Sequence, residues 1–445
     1  MIIRLTRVSG ACIFASALLT TIASCQHYFG VAHAATYYVA ITGNNSNPGT
    51  ESQPWRTVAY AVWTMVAGDT TYVRGGAYNE GEIRFRNSGT SGAPIRLLSY
   101  PDEAPIIQFI DPHSTSNRIL IQHANGYNRA IGWITIEGFE IRNGYEGIKY
   151  HNLHDSTIRR NRIRDNLGQG ILGVGGTRVL IDRNIISHNG DFALCASTPS
   201  ACNKEHGIYA NGSAMTITNN LIYDNLSYGI TFNGSSTSIY NPAKFAGPEF
   251  ANSTNWVIAN NTFAYNRYRG GIVVWGTTCN NARIENNIFY ENSVLVSWAP
   301  QGIEFVGASL GSSRMTIRNN HFYASGSGGT LAIESGGPLD LVSSDNIINV
   351  NPPAFVNGGS NTLPASPDFR LTARSPAIDK GLPPADEPPG ETLRTAFDDA
   401  LWKARRTDFA GTTRPQGRAY DIGAYEYRAD GDSQSPTTVQ GVQIR

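Results

Sequence analysis

Between about residues 130 and 350 the chain alternates apolar and polar positions in short runs, and the runs recur. Met215-Thr216-Ile217-Thr218-Asn219-Asn220-Leu221-Ile222-Tyr223 shows the pattern. A period of two belongs to strands, and no window here carries the 3.6-residue apolar face of a helix. The recurring phrase is Arg160-Asn161-Arg162-Ile163-Arg164-Asp165-Asn166. It returns at Arg183-Asn184-Ile185-Ile186-Ser187-His188-Asn189, at Asn219 to Asn225, at Asn260 to Asn266 and at Asn286 to Asn292, and decays at Asn319 to Tyr323 and Asp345 to Ile348. A first copy at Glu137-Gly138-Phe139-Glu140-Ile141 lacks the asparagine. The central positions are 138, 161, 184, 220, 261, 287, 320 and 346, so the spacings are 23, 23, 36, 41, 26, 33 and 26. A base period near 23 with insertions is that of a solenoid whose coils stack on their neighbours.

A second signature, Gly-Ile, opens another short strand at Gly147-Ile148, Gly170-Ile171, Gly207-Ile208, Gly229-Ile230, Gly271-Ile272 and Gly302-Ile303. Several short strands per coil, with asparagine in register at one corner, predict an all-β chain folded as a parallel β-helix. The stacked asparagines are expected to bond to each other and to the turn backbone above and below. Trp55 to Val66 is the best amphipathic helix and is expected to cap the open end of the solenoid.

The termini differ from the repeats. Met1 to Ala34 reads as a signal peptide, with Arg4 and Arg7 before an apolar run and Ala32-His33-Ala34 as a cleavage site. Ile22-Ala23-Ser24-Cys25 leaves a second reading open, a lipoprotein signal lipidated at Cys25. Either way the protein is expected to be secreted or held at the cell surface, with no transmembrane segment after the signal. Export makes a Cys195–Cys202 disulfide the expected pairing, with Cys279 free. The chain carries 35 basic and 35 acidic residues, so bulk charge gives no basis for a nucleic-acid or anionic-membrane partner.

Tyr37-Tyr38-Val39, Thr42-Gly43-Asn44, Asn47-Pro48-Gly49-Thr50, Pro54-Trp55-Arg56-Thr57, Gly68 to Tyr78 and Ser88 to Ile95 together resemble the opening of pectate-lyase-like right-handed β-helix proteins. Family 9 polysaccharide lyases are the nearest in flavour. The resemblance implies a right-handed β-helix over residues 35–350. After it, Ser375-Pro376-Ala377-Ile378-Asp379, Arg414 to Arg418 and Asp421 to Tyr427 resemble a C-terminal module that follows such helices, placed at 351–429 as a cap on the last coils. Residues 430–445 read as a tail or linker. A monomer is expected.

In this resemblance the Gly-Ile strands form the first sheet, whose outer face binds polysaccharide. With each Ile pointing inward, the outward positions are Lys149, His151, Leu172, Tyr209, Asn211, Thr231, Asn233, Val273, Trp275, Glu304 and Glu334. Such a stripe suits a sugar chain, because aromatics stack on rings, amides hold hydroxyls and cations hold carboxylates. The 184–220 insertion adds Lys204, Glu205 and His206; the insertion from Ser235 to Thr254 adds Tyr240, Lys244, Phe245 and Phe250 as a wall toward the next coils. We therefore expect Lys149, Lys204, His206 and Tyr209 to converge as catalytic groups, with His151, Asn211, Asn233, Trp275 and Glu304 binding substrate. The glycines at 173, 175 and 176 are expected to leave room for a sugar ring between them.

The resemblance implies a lyase that uses a lysine base, for which Gly147-Ile148-Lys149 is loosely similar, and calcium held by several aspartates. Here Asp165, Asp191 and Asp224 are scattered, so calcium stays an open expectation and cations are the alternative neutralising groups. Epimerisation shares the proton abstraction; Asp111-Pro112-His113 matches an epimerase tripeptide but lies ahead of the asparagine repeats. Hydrolysis needs two carboxyl groups, and Glu304 with Glu334 is the pair on the stripe. A non-catalytic carbohydrate-binding protein is the reading of another class.

Overall fold

Three short strands per coil stack in parallel into three sheets. In this computed structural model residues 34–234, 243–276, 279–296, 302–306, 314–324, 331–333, 340–384 and 396–429 are described. Residues 1–33, within the expected signal segment, lie outside them, as do Glu334 and Tyr240. The first sheet runs from Ile83–Phe85 through the start of Ile148–Arg159 to Ile303–Val306 and Leu331–Ile333. In it Ile83, Ile119, Ile148, Ile171, Ile208, Ile230, Ile272 and Ile303 pair in register, and all are fully buried. The second sheet begins at Thr36–Val39, and the third carries Arg162–Arg164, Ile185–Ser187, Leu221–Tyr223, Thr262–Ala264 and Ile288–Tyr290. Stacked Phe263, Phe289 and Phe322 continue the core on that side, 4.9 and 4.7 Å apart. The fold is the expected all-β right-handed parallel β-helix.

Sharp corners between sheets are made by single residues in the left-handed region. At the corner between second and third sheets these are Arg160, Arg183, Asn219, Asn260, Asn286 and Asn319, with φ from 51 to 58°. A left-handed L-residue costs about 1–2 kcal/mol, less for Asn, and the next residue in each coil offsets it. Asn161, Asn184, Asn220, Asn261, Asn287, Asn320 and Asn346 form one ladder. The amide N–H and the Nδ2 of each donate to the Oδ1 of the next, for instance Asn184 to Asn220 at 2.8 and 3.0 Å. The remaining Nδ2 hydrogen reaches a backbone carbonyl, as Asn220 does to Ile181 at 2.9 Å. A second ladder, Asn166, Asn189, Asn225, Asn266 and Asn292, stands at the corner between third and first sheets. Its residues end each copy of the repeated phrase.

The Gly-Ile signature has a steric cause. A Cβ on Gly170, Gly207 or Gly229 would stand 2.7 Å from the carbonyl oxygen of the corresponding glycine in the next coil. A Cβ on Gly207 would also meet the Asn225 amide at 3.0 Å.

The N-terminal helix is Val58–Thr64, shorter than the expected Trp55–Val66, and is capped by Thr57, whose Oγ1 accepts from the Tyr60 amide. The buried Glu80 carboxylate accepts from the Val58 amide at 2.7 Å, satisfying an otherwise orphan donor of the first turn. Val58, Ala61 and Val62 close the core beside the first strand of the first sheet.

The C-terminal segment reaches beyond the last coils. Phe369, Leu371, Ala377, Phe409, Ile422 and Tyr425 pack on the outer face of the third sheet, over Ile185, Leu221, Tyr265, Ile288 and Tyr290. Its charged residues are structural: Arg414 and Glu426 form a fully buried pair at 2.7 Å, and Asp421 accepts from the Asp379 and Tyr427 amides. The helix Ala396–Ala404 packs against Leu180 through Phe397 and Ala404.

Replacing Asn220 with Ala orphans buried donors and acceptors in two adjacent coils. We expect a loss of about 2–4 kcal/mol in chemical denaturation, whereas Asn346→Ala, at the partly exposed end of the ladder, should cost about 1 kcal/mol or less. Equal losses at the two positions would contradict a cooperative buried ladder.

Candidate functional site

Two insertions flank the outer face of the first sheet. Residues 191–203 form the helix Phe192–Ser197 and the turn Pro199–Asn203, joined by the Cys195–Cys202 disulfide. This loop packs on Leu226 and Tyr268 at the edge where the chain enters the first sheet. At the other edge, Phe245 and Phe250 pack on Ala130 and Val174, and Asn152 binds the backbone of Lys244 and Ala246. This second insertion was expected to wall the groove toward later coils; it folds back over earlier ones instead. The reason is the space at Gly175 (φ +81°), where a Cβ would stand 3.0 Å from the Phe245 ring. Gly173 was expected to leave room for a sugar ring, but it faces the core, where a Cβ would collide with Tyr150.

Lys149 lies on the groove floor in register with Arg84 and Leu120. Its Nζ pairs with Glu146 Oε1 at 3.5 Å, and Glu146, almost completely buried, also pairs with Arg118. Burial raises the Glu146 carboxyl, and Arg118 and Lys149 oppose that rise. Two residues on, His151 is half-buried beside Tyr127, with ring centroids 5.9 Å apart. Burial, then the charges of Lys149, Arg118 and Arg84, hold its imidazole down to about 4. It is therefore neutral at ordinary pH, and its buried Nδ1 has no hydrogen-bond partner. Tyr127, 49 % exposed, offers a ring at the groove mouth. Sequence reasoning named Lys149 and His151 but missed Arg84, Arg118, Glu146 and Tyr127. Arg84 sits on an earlier strand of the same column, so register extended upstream of Gly147 would have found it.

Two coils further along, His206 and Tyr209 meet as expected, rings stacked at 5.6 Å. The imidazole, however, is 5 % exposed. It is flanked by Tyr228 at 5.7 Å, whose amide N–H donates to His206 Nδ1, and burial holds the ring down to about 3. Such a group orders the groove floor rather than touching substrate. Tyr209 accepts from Asn233 Nδ2 at 2.8 Å, and burial raises its hydroxyl. Glu304 was expected on the surface but is 0 % exposed, bonded to the Tyr228 hydroxyl and 3.4 Å from Arg269. Asn211 is buried too, its Oδ1 accepting from the Gly175 amide at 2.8 Å. Both are structural, so neither contacts a sugar chain directly. Lys204 is exposed at the end of the disulfide-braced turn, and its backbone carbonyl accepts from Gln169 Nε2 just before the strand that starts at Ile171. Lys149 with His151 and His206 with Tyr209 thus form two pairs on one face. They are separated by the Leu172 strand, about 10 Å at the coil spacing. Trp275, 45 % exposed, stands beyond them in the same face.

Glu205 is raised to about 7 by burial and by the charge of Asp191. Asp191 itself caps the loop helix through the Leu194 amide. Cys279 is free and buried, which pushes its thiol far up and makes it inert. The Asp111 side chain accepts from the His113 amide in the exposed turn between Pro105–Phe109 and Ile119–Ile121.

The aspartates do not fit a calcium site. Asp165 is bonded to His188 and Arg164, Asp224 to Arg267, and Asp191 to its helix. Among the described residues no three His, Cys, Asp or Glu side chains stand close enough to share a metal. No helix among the described residues is long and apolar enough to cross a membrane.

Comparison with known proteins follows this geometry. The profile of the Pel9A-like right-handed β-helix region matches residues 37–194, and that of the right-handed β-helix region matches residues 206–366. An uncharacterized protein of Bacillus subtilis, YwoF, is 39 % identical over 70 residues, 16 % of this chain and 15 % of its own. A pectate lyase of Emericella nidulans, PEL9, is 39 % identical over 75 residues, 17 % of this chain and 18 % of its own. The chain thus matches under a fifth of the length of these curated relatives. The crystal structure of pectate lyase Pel9A superposes with a TM-score of 0.51 at 17 % identity, covering 88 % of this chain and 96 % of that one. The stacked coils, the asparagine ladders and the two matching profiles agree: the chain belongs to the pectate-lyase-like right-handed β-helix superfamily.

Proposed function

We propose that this protein is an exported enzyme that cleaves a uronate-containing polysaccharide by β-elimination in the groove of the first sheet. The carrying observation is the neutral His151 beside Lys149, Arg118 and Arg84. A uronate lyase must neutralise the substrate carboxylate, remove the proton α to it and protonate the leaving oxygen. The cations answer the first need without a metal. Lys149, held in an ion pair with Glu146, suits charge neutralisation better than proton abstraction. His151 answers the second need, taking the α proton while the C–O bond breaks and the C=C bond forms. The Tyr127 phenol beside it can supply the proton of the leaving oxygen. Tyr127 and Trp275 offer rings on which a chain running along the groove can stack. The superfamily and the pectate lyases matched above are consistent with this reading, and the disulfide is consistent with export.

Hydrolysis is the second reading, favoured by one observation. Glu205, held near neutrality beside Asp191, resembles the acid and carboxylate partners of a glycosidase. It replaces the pair Glu304 and Glu334, since Glu304 is buried and Glu334 lies outside the described residues.

Pectate, alginate and glucuronan should be tested for products with the ultraviolet absorbance of an unsaturated uronate. New reducing ends without that absorbance would identify a hydrolase instead. Lys149→Ala, Arg118→Ala and His151→Ala should each lower kcat/KM by about 10²-fold or more; the unfolding transition should stay in place for His151→Ala and fall for the other two, which leave the buried Glu146 with a single cation. Full activity in all three would move the chemistry elsewhere.

The pH dependence has a definite sign. His151 must be unprotonated to act, so activity should persist as pH falls until about 4, where the folded group gains its proton. In Lys149→Ala one of the charges that depress it is gone. The His151 titration, followed by NMR, should then move to higher pH. An unchanged titration would separate the two groups.

His206 gives a contrasting prediction. Its folded value of about 3 lies below the usual 6.5, so protonation favours the unfolded chain between those limits. Stability should fall as pH drops from about 6.5 toward 3, and His206→Phe should flatten that dependence in thermal melts between these pH values. A slope equal to that of the natural chain would show that His206 does not drive it.

A further inference from the structure

A cleft of about 390 Å³ lies on another face of the molecule, between the outer surface of the second sheet and the helix Ala396–Ala404. Its size is in the range of small-molecule sites. From the sheet it is lined by Arg96, Thr135, Glu137, Thr157 and Arg159, and from the helix by Asp399 and Lys403. Trp133 and Phe397 form the apolar part of its wall.

The charges lining it are not all equivalent. Glu137 accepts from Arg159 at 2.8 Å and from Arg160 at 3.2 Å, so its charge is already shared by two guanidinium groups. Asp155, also at the cleft, is bonded to Arg178 and to His154. Asp399 lies one helical turn before Lys403. Arg96 and Lys403 remain: one from the sheet and one from the helix, neither in an ion pair among the described residues. Two such cations thus line one cleft from two different elements. The rest of the lining narrows which anion suits them. Three carboxylates around the cleft oppose the multiple charge of a phosphate or polyphosphate more than the single charge of a sugar carboxylate, and they can accept hydrogen bonds from sugar hydroxyls, as can the threonines. The indole of Trp133 offers an apolar ring wall.

We propose that this cleft is a second carbohydrate site, distinct from the groove, that takes an acidic sugar. Arg96 and Lys403 hold its carboxylate, and Trp133 lies against its ring. The helix that completes the cleft belongs to the C-terminal segment, so that segment contributes to binding as well as to covering the solenoid.

Calorimetric titration of the full chain with D-galacturonate and with D-galactose tests this, because the two differ only at the carboxylate. The parent for the test is Lys149→Ala, in which the groove's own carboxylate contact is weakened. Galacturonate should bind it more tightly than galactose. Adding Arg96→Gln and Lys403→Gln should weaken galacturonate binding at least 10-fold and leave galactose unchanged, with the melting transition in place. The proposal is overturned if the added substitutions leave galacturonate affinity and stoichiometry unaltered. It is overturned equally if both sugars weaken alike, or if the parent does not distinguish them. Because the readout is binding in a groove-impaired variant, each of these outcomes is independent of whether the groove cleaves pectate.

Discussion

Everything in this molecule depends on closing a tight corner without leaving buried backbone donors unpaired. Each coil turns from the second to the third sheet through one left-handed residue, and the amide that follows points along the helix axis into the interior. Asparagine is the side chain that solves this, because it offers an acceptor to the coil before and donors to the coil after, with one donor left for a backbone carbonyl. Each rung needs the next, so the ladder fixes the register of every strand on either side. That register in turn stacks eight isoleucines in one column and places Lys149, Leu172, Tyr209 and Thr231 in another.

Solenoid geometry then divides the outer surface into faces with different fates. On the third sheet the early coils present Arg142, Arg162 and Arg164, the first and last of them joined through Glu140. The later coils present Ile185, Leu221 and Ile288, and the C-terminal segment covers those. The switch from charged to apolar outward residues marks where coverage begins. The second sheet is shared with one helix, and a cleft is left between them. On the first sheet Lys149, His151, Tyr209 and Trp275 stay accessible along one face, bordered by one insertion at each edge.

How much of this was legible follows from which interactions repeat. The asparagines at 161, 184, 220 and 261 recur because every coil needs them, so the ladder and the strand order could be read from spacing. The second ladder was equally periodic, at 166, 189, 225 and 266, but its residues ended the repeated phrase and drew no separate interpretation. The lateral C-terminal cover also left a trace. Ile185-Ile186 and Leu221-Ile222 break the alternation because both faces of those strands are buried. What could not be read was the fate of outward side chains. Glu304 and His206 occupy outward or corner positions by alternation, yet Tyr228 and Arg269 close over the first and two tyrosines enclose the second. Apart from His206 with the nearby Tyr209, those contacts join residues 22 to 76 apart and do not recur.

The same distinction explains where chemistry can reside. A repeated residue is committed to the stack, because replacing it disturbs two neighbours. Groups that occur once are free to serve a ligand, provided that some repeated element fixes their position. Lys149 and His151 meet both conditions: they stand on a strand whose inward Ile148 and Tyr150 are fully buried, directly after a glycine that tolerates no side chain. Glu146 joins the two conditions physically. It lies one residue before that glycine, nearly inaccessible to solvent, and its carboxylate engages Arg118 from the preceding coil and Lys149 from its own. A buried carboxylate with two cations is costly unless both remain, since losing either leaves charge uncompensated in a low-dielectric setting. The cations are thereby held beside His151, where their charge adds to the effect of burial in depressing its imidazole.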